Sequence, residues 1–311
     1  MIVNIEQASK LIQSGDIVAI PTETVYGLAA DAFNIGAVKK TFDVKGRPVG
    51  NPLIVHISNL GHLKQLALEF PEDARLLTKT FWPGPLTIVL KKIPEVPDIV
   101  TAGLNTVAIR MPNHDKTLAL IEKTGPLTAP SANKSGRPSP TRAEHIEEDY
   151  NSKIPVLDGG PSEIGLESTV IDLSEGIITL LRPGYVTSEM IRSVTGKTVI
   201  HSKMDGHKIS RSPGTRYTHY KPKAKVCWFR TSTTDFSPGA YFLFHSDNPG
   251  FTGKNCFSYN GDYAALARDL YDHFRTADYL GYSQIFIESF RNFENHPIIP
   301  ALLDRIQRAI S

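Results

Sequence analysis

Three short stretches of this 311-residue sequence carry side chains whose types and spacing could do chemistry. In Lys45-Gly46-Arg47-Pro48, the proline pushes Arg47 towards an extended backbone. Residues two apart in an extended chain face the same way, so Lys45 and Arg47 would aim two cations at one spot. Arg offers a planar fork for phosphate or carboxylate, and Lys a mobile point charge. In Thr128-Ala129-Pro130-Ser131-Ala132-Asn133 the device recurs with neutral groups, Ser131 and Asn133. The third stretch, Pro21-Thr22-Glu23-Thr24-Val25-Tyr26-Gly27-Leu28-Ala29-Ala30-Asp31-Ala32, sets hydroxyls and a carboxylate ahead of an aromatic ring and a glycine. Each has a plainer reading when taken alone: a strand-to-helix turn capped by Thr, a solvated basic turn, a polar turn or cap. Together they suit the neutralisation and orientation of an anionic reactant.

The elements that must position these groups are legible as alternating short strands and helices. Ile17 to Ile20 reads as a buried strand that Pro21 must end, and open α/β sheets place ligands at such strand ends. Apolar residues at 5, 8, 11 and 12 predict a helix from Ile5 to Ser14, and Asn34 caps a second running to Val44. Strands are expected at 53–57, 86–90, 107–111, 127–129, 169–173 and 177–181, with helices at 73–81 and 188–194. This pattern predicts an α/β domain around one twisted, mixed sheet flanked by helices. Further on, strands are expected at 226–229, 241–244 and 285–287. A helix with Tyr263, Leu266, Ala267, Leu270, Phe274 and Ala277 on one face ends near Gly281, and a last helix has Pro300 in its first turn. That is a smaller three-layer α/β domain.

Charge places the boundary between the two. From His201 to Arg230 there are eight Lys or Arg against one acid, whereas Thr231 to Ser311 holds six basic and nine acidic residues. We therefore expect a catalytic domain over 1–203, a basic linker over 204–223 and a C-terminal domain over 224–311. The overall formal charge of +2 is too small to mark a nucleic-acid protein by composition, and 41% hydrophobic residues suffice for a real core. Cys227 and Cys256 offer neither metal spacing nor a disulfide framework, so reduced thiols are expected. The N-terminus lacks a basic-then-apolar signal and no apolar run has membrane length, which predicts a cytoplasmic protein without membrane attachment.

The three stretches resemble those of the YrdC-type family, the threonylcarbamoyl-AMP synthases. Asn51-Pro52-Leu53-Ile54-Val55-His56, Trp82-Pro83-Gly84-Pro85-Leu86-Thr87, Glu167-Ser168-Thr169-Val170 and Leu181-Arg182-Pro183-Gly184 fit as well, in the right order. Ser212-Pro213-Gly214-Thr215-Arg216-Tyr217-Thr218-His219-Tyr220-Lys221-Pro222 and the domain after it resemble the family's long form. The resemblance implies a reaction in which L-threonine, bicarbonate and ATP give threonylcarbamoyl-adenylate and pyrophosphate. It implies that the product passes to a separate tRNA threonylcarbamoyl transferase, which modifies tRNA next to the anticodon. Carried over residue by residue, it places Lys45, Arg47, Ser131 and Asn133 in catalysis, and Thr24, His56, Arg110, Ser131 and Ser168 around threonine. Arg47, Asn51, Thr106, Asn133, Thr141, Arg182 and Tyr220 fall to ATP, with Mg accompanying the phosphates through few protein ligands. No G-x-x-x-x-G-K-[ST] or G-x-G-x-x-G sequence occurs, which suits a nucleotide held by scattered side chains. The basic, aromatic linker is expected to act as a lid, with Tyr220 on ATP.

Two other classes were weighed. A non-catalytic double-stranded RNA or tRNA-binding module would use the basic linker, but would not need Lys45, Arg47, Ser131 and Asn133 together. Larger relatives make a carbamoyl-adenylate for hydrogenase maturation, yet they carry zinc-finger cysteine pairs and this chain has two isolated cysteines. His56, at the end of an apolar strand, is expected to bind substrate, and Tyr26, Trp82 and Met111 to form wall and core.

Overall fold

The computed structural model describes residues 1–202, 220–229, 239–247, 250, 253–290 and 296–310. The first part runs α1 (Ile5–Gln13), β1 (Val18–Ile20), β2 (Gly27–Asp31), α2 (Ile35–Lys45), β3 (Ile54–His56), α3 (Glu72–Phe81), β4 (Leu86–Lys91) and α4 (Asp98–Thr101). It continues with β5 (Thr106–Arg110), α5 (Asp115–Thr124), β6 (Leu127–Thr128), α6 (Ala143–Tyr150), β7 (Thr169–Asp172), β8 (Thr179–Arg182), α7 (Ser188–Thr195) and β9 (Ile200–His201). These strands form one mixed sheet in the order β1-β2-β6-β3-β5-β4-β7-β8-β9. The second part comprises β10 (Lys225–Phe229), β11 (Tyr241–Phe244), β12 (Cys256–Ser258), α8 (Tyr263–Tyr279), β13 (Gln284–Glu288) and α9 (Ile299–Ile310). Its four strands are all parallel, in the order β10-β13-β11-β12. No helix among the described residues is long and apolar enough to cross a membrane.

Local chemistry accounts for the elements that frame the site. Asn4 closes a capping box with Gln7 at the start of α1, and Asn34 caps α2 by accepting from the Ala37 amide. Gly46 ends α2 in the left-handed conformation. The sheet has two unlike faces. Val55, Ile88 and Ile109 point into the main core with Phe42, Leu77 and Leu86, while Ile54, Val89, Ala108 and Val170 form a small apolar patch on the other side. Parallel pairing of β3 with β5 sets His56 beside Arg110, and β8 pairs with β7 so that Arg182 lies opposite Val170.

Several elements differ from the sequence expectation: β2, α4, α5, α6, β9 and β12 have no counterpart in it. Gly27–Asp31 is a strand, paired antiparallel with β1 through Ile20 and Gly27, whereas its small residues suggested only a close approach after a turn. Gly-Leu-Ala-Ala-Asp has no β-branched residue and is buried on both faces over its first four positions, so neither propensity nor alternation marks it. The helices α5 and α6 were not anticipated because their N-caps, His114 and Arg142, make no side-chain capping bond.

The two parts are packed directly on each other. Arg275 of α8 pairs with the buried Asp149 of α6 through Nη2 at 2.9 Å, and Val25 and Leu166 belong to the apolar cluster of the C-terminal part. Gly165 sits at this seam with φ +76°, and a Cβ there would fall on the backbone of Arg268. Only glycine satisfies both demands. Gly165→Ala is expected to lower stability by about 2–4 kcal/mol through strain and overpacking. Thermal unfolding of the full chain checks this, and an unchanged melting temperature would contradict the close seam.

Candidate functional site

A cleft over the patch face of the large sheet collects polar side chains from eight separate stretches. Thr24, Arg47, His56, Arg110, Ser131, Asn133, Ser168, Arg182 and Tyr220 all line it, with Thr22, Gly27 and Glu167. Gly27 is required here: a Cβ on it would come within 2.9 Å of the Ala129 Cβ, where the backbone of β2 passes the Ala129–Ser131 turn.

The turn after β1 is a rigid hydroxyl cluster. Thr22 Oγ1 accepts from the amides of Thr24 and Val25, donates to the Val25 carbonyl, and lies 2.8 Å from Thr24 Oγ1. Thr24 Oγ1 in turn accepts from Arg110 Nη1 at 2.9 Å. Arg110 also donates from Nε to the Gly84 carbonyl, and its Nη2 is 2.7 Å from Glu23 Oε2 in an ion pair that is almost fully buried. The Glu23 approach is off the hydrogen-bond direction, so both Glu23 oxygens have no hydrogen bond among the described residues. Arg110 therefore does not present an open fork; a carboxylate would share the guanidinium with Glu23 and Thr24.

Next to it, His56 is buried and its Nδ1 has no hydrogen-bond partner among the described residues. Burial, with Arg110 nearby, pushes the imidazole down to about 3, so His56 is neutral at physiological pH. It can exchange a hydrogen bond with a substrate but carries no charge to it.

The paired-cation geometry expected at Lys45 and Arg47 is not what forms. Lys45 is the last residue of α2 and Gly46 turns left-handed, so the two residues do not sit on one extended strand. Lys45 Nζ donates to the carbonyls of Ser131 and Asn133. Burial, together with Arg47, holds its ammonium well below the usual lysine range. Lys45 thus braces the Ser131–Asn133 turn from behind, and Arg47 is the cation that lines the cleft. Arg47 Nη2 donates to the Pro52 carbonyl at 3.2 Å. Asn133 donates to the Lys134 and Arg137 carbonyls, and its buried Oδ1 has no partner among the described residues. Asn51 is buried beside this region, and neither polar atom of its amide has a partner among the described residues, although it does not line the cleft.

The far wall is built from Glu167, Ser168 and Arg182. Ser168 Oγ is 2.8 Å from Thr87 Oγ1, and Arg182 donates to the Ser168 carbonyl from Nε and to Ser168 Oγ from Nη2. Burial opposes ionisation of Glu167, but Arg305 and then Arg182 hold its carboxyl below the usual range. Tyr220 is buried, stacks on Tyr271 with centroids 5.3 Å apart, and has its hydroxyl pushed up to about 12 by burial. Tyr220 adopts φ +68°, and the next amide, Lys221, donates to the Gly136 carbonyl. The rest of the expected lid, including Arg211, Arg216, Tyr217 and His219, lies outside the described residues.

Two predicted positions fall elsewhere. Thr106 begins β5 and Arg110 ends it, so at about 3.3 Å per residue they stand about 13 Å apart along the strand. Thr141 is buried and lines a separate cavity of about 760 Å³ with Arg142, Ser162, Tyr259 and Asp272, between the two parts of the chain. Sequence reasoning placed Thr22, Glu23 and Glu167 in marked stretches but gave none of them a role. Their motif positions were visible; their partners, far along the chain, were not.

The sequence profile described as telomere recombination, that of the Sua5, YciO and YrdC proteins, matches residues 10–184. The profile described as the threonylcarbamoyl-AMP synthase C-terminal domain matches residues 186–311. The chain belongs to the Sua5–YciO–YrdC family. Among curated Sua5-type relatives, the threonylcarbamoyl-AMP synthase of Pyrococcus abyssi is 52% identical over 223 residues, covering 70% of this chain and 66% of the relative. That of Bacillus subtilis is 50% identical over 226 residues, covering 71% and 65%. The chain thus spans just under two thirds of the length of these two relatives. The crystal structure of P. abyssi Sua5 complexed with L-threonine superposes with a TM-score of 0.88 at 38% identity, over 100% of this chain and 97% of that one.

The neutral His56 has a measurable consequence for stability. Its folded pKa, about 3, lies below the unfolded value near 6.5. Between those limits the unfolded chain binds a proton that the folded chain refuses, so stability falls as pH falls from about 6.5 to about 3. His56→Asn should flatten the stability-versus-pH slope in that window by up to about 1.4 kcal/mol per pH unit. Urea unfolding at pH 7, 6 and 5 measures it, and identical slopes for the two proteins would show that His56 is protonated in the fold.

Proposed function

We propose that this chain makes L-threonylcarbamoyladenylate from L-threonine, bicarbonate and ATP, releasing pyrophosphate. The product would supply a separate transferase that completes threonylcarbamoyladenosine on tRNA beside the anticodon. The observation that carries this reading is one cleft that joins an amino-acid-sized cluster, Thr24, His56, Arg110 and Ser168, to Arg47, Ser131, Asn133 and Arg182. The likeness to P. abyssi Sua5, which was solved in complex with L-threonine, supports threonine as one of the substrates.

The chemistry has two steps. The threonine amine attacks the bicarbonate carbon and water leaves, giving a carbamate. A carbamate oxygen then attacks the α-phosphate of ATP, and pyrophosphate departs. Bicarbonate and ATP are anions and threonine brings a carboxylate, so the cleft must supply positive charge without water and hold the partners in line. Arg110 and Thr24 orient the threonine carboxylate and hydroxyl, and Ser168, fixed by Thr87 and Arg182, faces the amine side. His56, being neutral, directs a hydrogen bond. Arg47 and Arg182 face the phosphates, and Ser131 and Asn133 bond ribose or phosphate oxygens on a turn that Lys45 holds in shape. The partnerless amide of Asn51 suits a nucleotide contact. Mg2+ enters with ATP, for which the partnerless Asn133 Oδ1 is a suitable oxygen; when bound it offsets phosphate charge. Tyr220, in the cleft wall, would lie against ATP. On this reading residues 1–203 form the catalytic domain, 204–223 a basic linker and 224–311 the C-terminal domain of a cytoplasmic enzyme.

Purified protein with ATP, threonine and bicarbonate should release pyrophosphate and yield a threonylcarbamoyl-adenylate detectable by mass spectrometry. Arg47→Ala should reduce kcat/KM by about 100-fold while remaining folded. Valine should be a poor substrate and serine an intermediate one, because a site built to bond a hydroxyl is left unpaired without it. A folded Arg47→Ala variant with wild-type turnover, or equal turnover of valine and threonine, would refute these assignments.

A further inference from the structure

One fully buried arginine reaches the cleft wall from the opposite end of the chain. Arg305, on α9, is 0% exposed. Its Nε donates to Glu167 Oε2 at 2.8 Å and its Nη2 to the Glu167 carbonyl at 3.3 Å. Nη1 donates to the Pro183 carbonyl and to Asp304. Tyr271, on α8, donates its hydroxyl to the same Glu167 Oε2 at 3.0 Å, while Ser139 donates to Oε1 at 2.6 Å. The Arg305 guanidinium also lies over the Tyr220 ring, 5.6 Å from its centroid, and Tyr220 stacks on Tyr271. Two helices of the C-terminal domain therefore converge on one carboxylate and one ring of the catalytic cleft.

Adhesion alone does not explain this arrangement. A buried ion pair is an inefficient way to join two domains, since apolar residues of similar volume serve as well or better. Its location is informative: Glu167, Ser168, Arg182 and Tyr220 all line the cleft. A carboxylate in the wall of an anion site is a competitor for the cations that the site needs. Here both Glu167 oxygens are engaged by Arg305, Tyr271 and Ser139, and the Arg182 guanidinium is directed to Ser168. After Arg305, Arg182 is the cation that acts most strongly on Glu167.

We propose that Arg305 and Tyr271 are positioning residues of the active site: they hold Glu167, so that Arg182 stays on Ser168 in the wall of the anion site. The C-terminal domain is then part of the catalytic machinery and not only a support for the linker. Loss of Arg305 would let Glu167 draw Arg182 away from Ser168 and neutralise it. The inference rests on the synthase reading for the identity of the anion, ATP.

The test is ATP binding to the full chain by titration calorimetry, with melting temperatures as a check on folding. Arg305→Met should raise the Kd for ATP about tenfold or more. Arg305→Met combined with Glu167→Gln should bring it back to within about threefold of wild type, because the uncharged amide no longer competes for Arg182. A purely structural role predicts the reverse, a double variant no better than the single one. That result, or a folded Arg305→Met variant with wild-type Kd, overturns the proposal. Should Arg305→Met fail to fold, Tyr271→Phe keeps the ring on Tyr220 and removes one donor. Its Kd should rise and be restored by Glu167→Gln; no rise, or no restoration, is again contrary. Wild-type protein that shows this dependence but makes no adenylate refutes the synthase reading and leaves the coupling intact. Wild-type protein that makes adenylate with ATP affinity indifferent to Arg305 does the opposite, and wild-type protein that does not bind ATP overturns both.

Discussion

The buried ion pair between Arg110 and Glu23 is the constraint on which the cleft depends. A guanidinium at the end of a central strand, 4% exposed, is costly to bury without a counter-charge and well-placed acceptors. Glu23, Thr24 and the Gly84 carbonyl supply them from three directions. The pair thereby ties the turn after β1 to the turn before β4 and to the end of β5. Removing one partner of such a pair typically costs about 3–5 kcal/mol, because the other is left uncompensated. Thr22, Thr24 and His56 take their places around this centre, and His56 is driven neutral partly by the charge that Glu23 helps to retain.

Around that centre the molecule uses its basic residues in two ways. Arg47 and Arg182 face the cleft, while Lys45, Arg275 and Arg305 work from behind or beside it, each bonded to carbonyls or carboxylates that hold a turn or a seam. The second group gives the site its rigidity. A loop such as Ser131–Asn133 can present polar groups to phosphate only if its own carbonyls are satisfied, and Lys45 does that. The same logic extends across the domain seam, where Tyr271 and Arg305 satisfy Glu167.

Much of this was legible in the sequence, for identifiable reasons. The strands β1, β3, β4, β5 and β7 are runs of β-branched and aliphatic residues bounded by turn formers, and α2 announces itself through the Asn34 cap. The cleft residues stand at strand ends and in Pro-marked turns, where side-chain type alone is informative. What was not legible depends on distant partners. Lys45 and Arg47 looked like one paired device, but the helix ran one residue further and Gly46 turned the chain between them. Thr106 shares a face with Arg110 by alternation, yet strand length separates them. Glu167 lies in a recognisable motif, but its principal partner is 138 residues away, and no local pattern announces such a contact. Strand β2 escaped notice because a doubly buried run of Gly, Leu and Ala has no polar face to alternate.

The central claim is that one cleft assembles an amino acid, bicarbonate and ATP into a single adenylate. Its most direct test is the fate of the bicarbonate carbon. With 13C-labelled bicarbonate, unlabelled threonine and ATP, the adenylate formed by the full chain should be one mass unit heavier, with the added carbon between the threonine nitrogen and the phosphate. An adenylate that carries no label, as direct activation of the threonine carboxylate would give, would contradict the account.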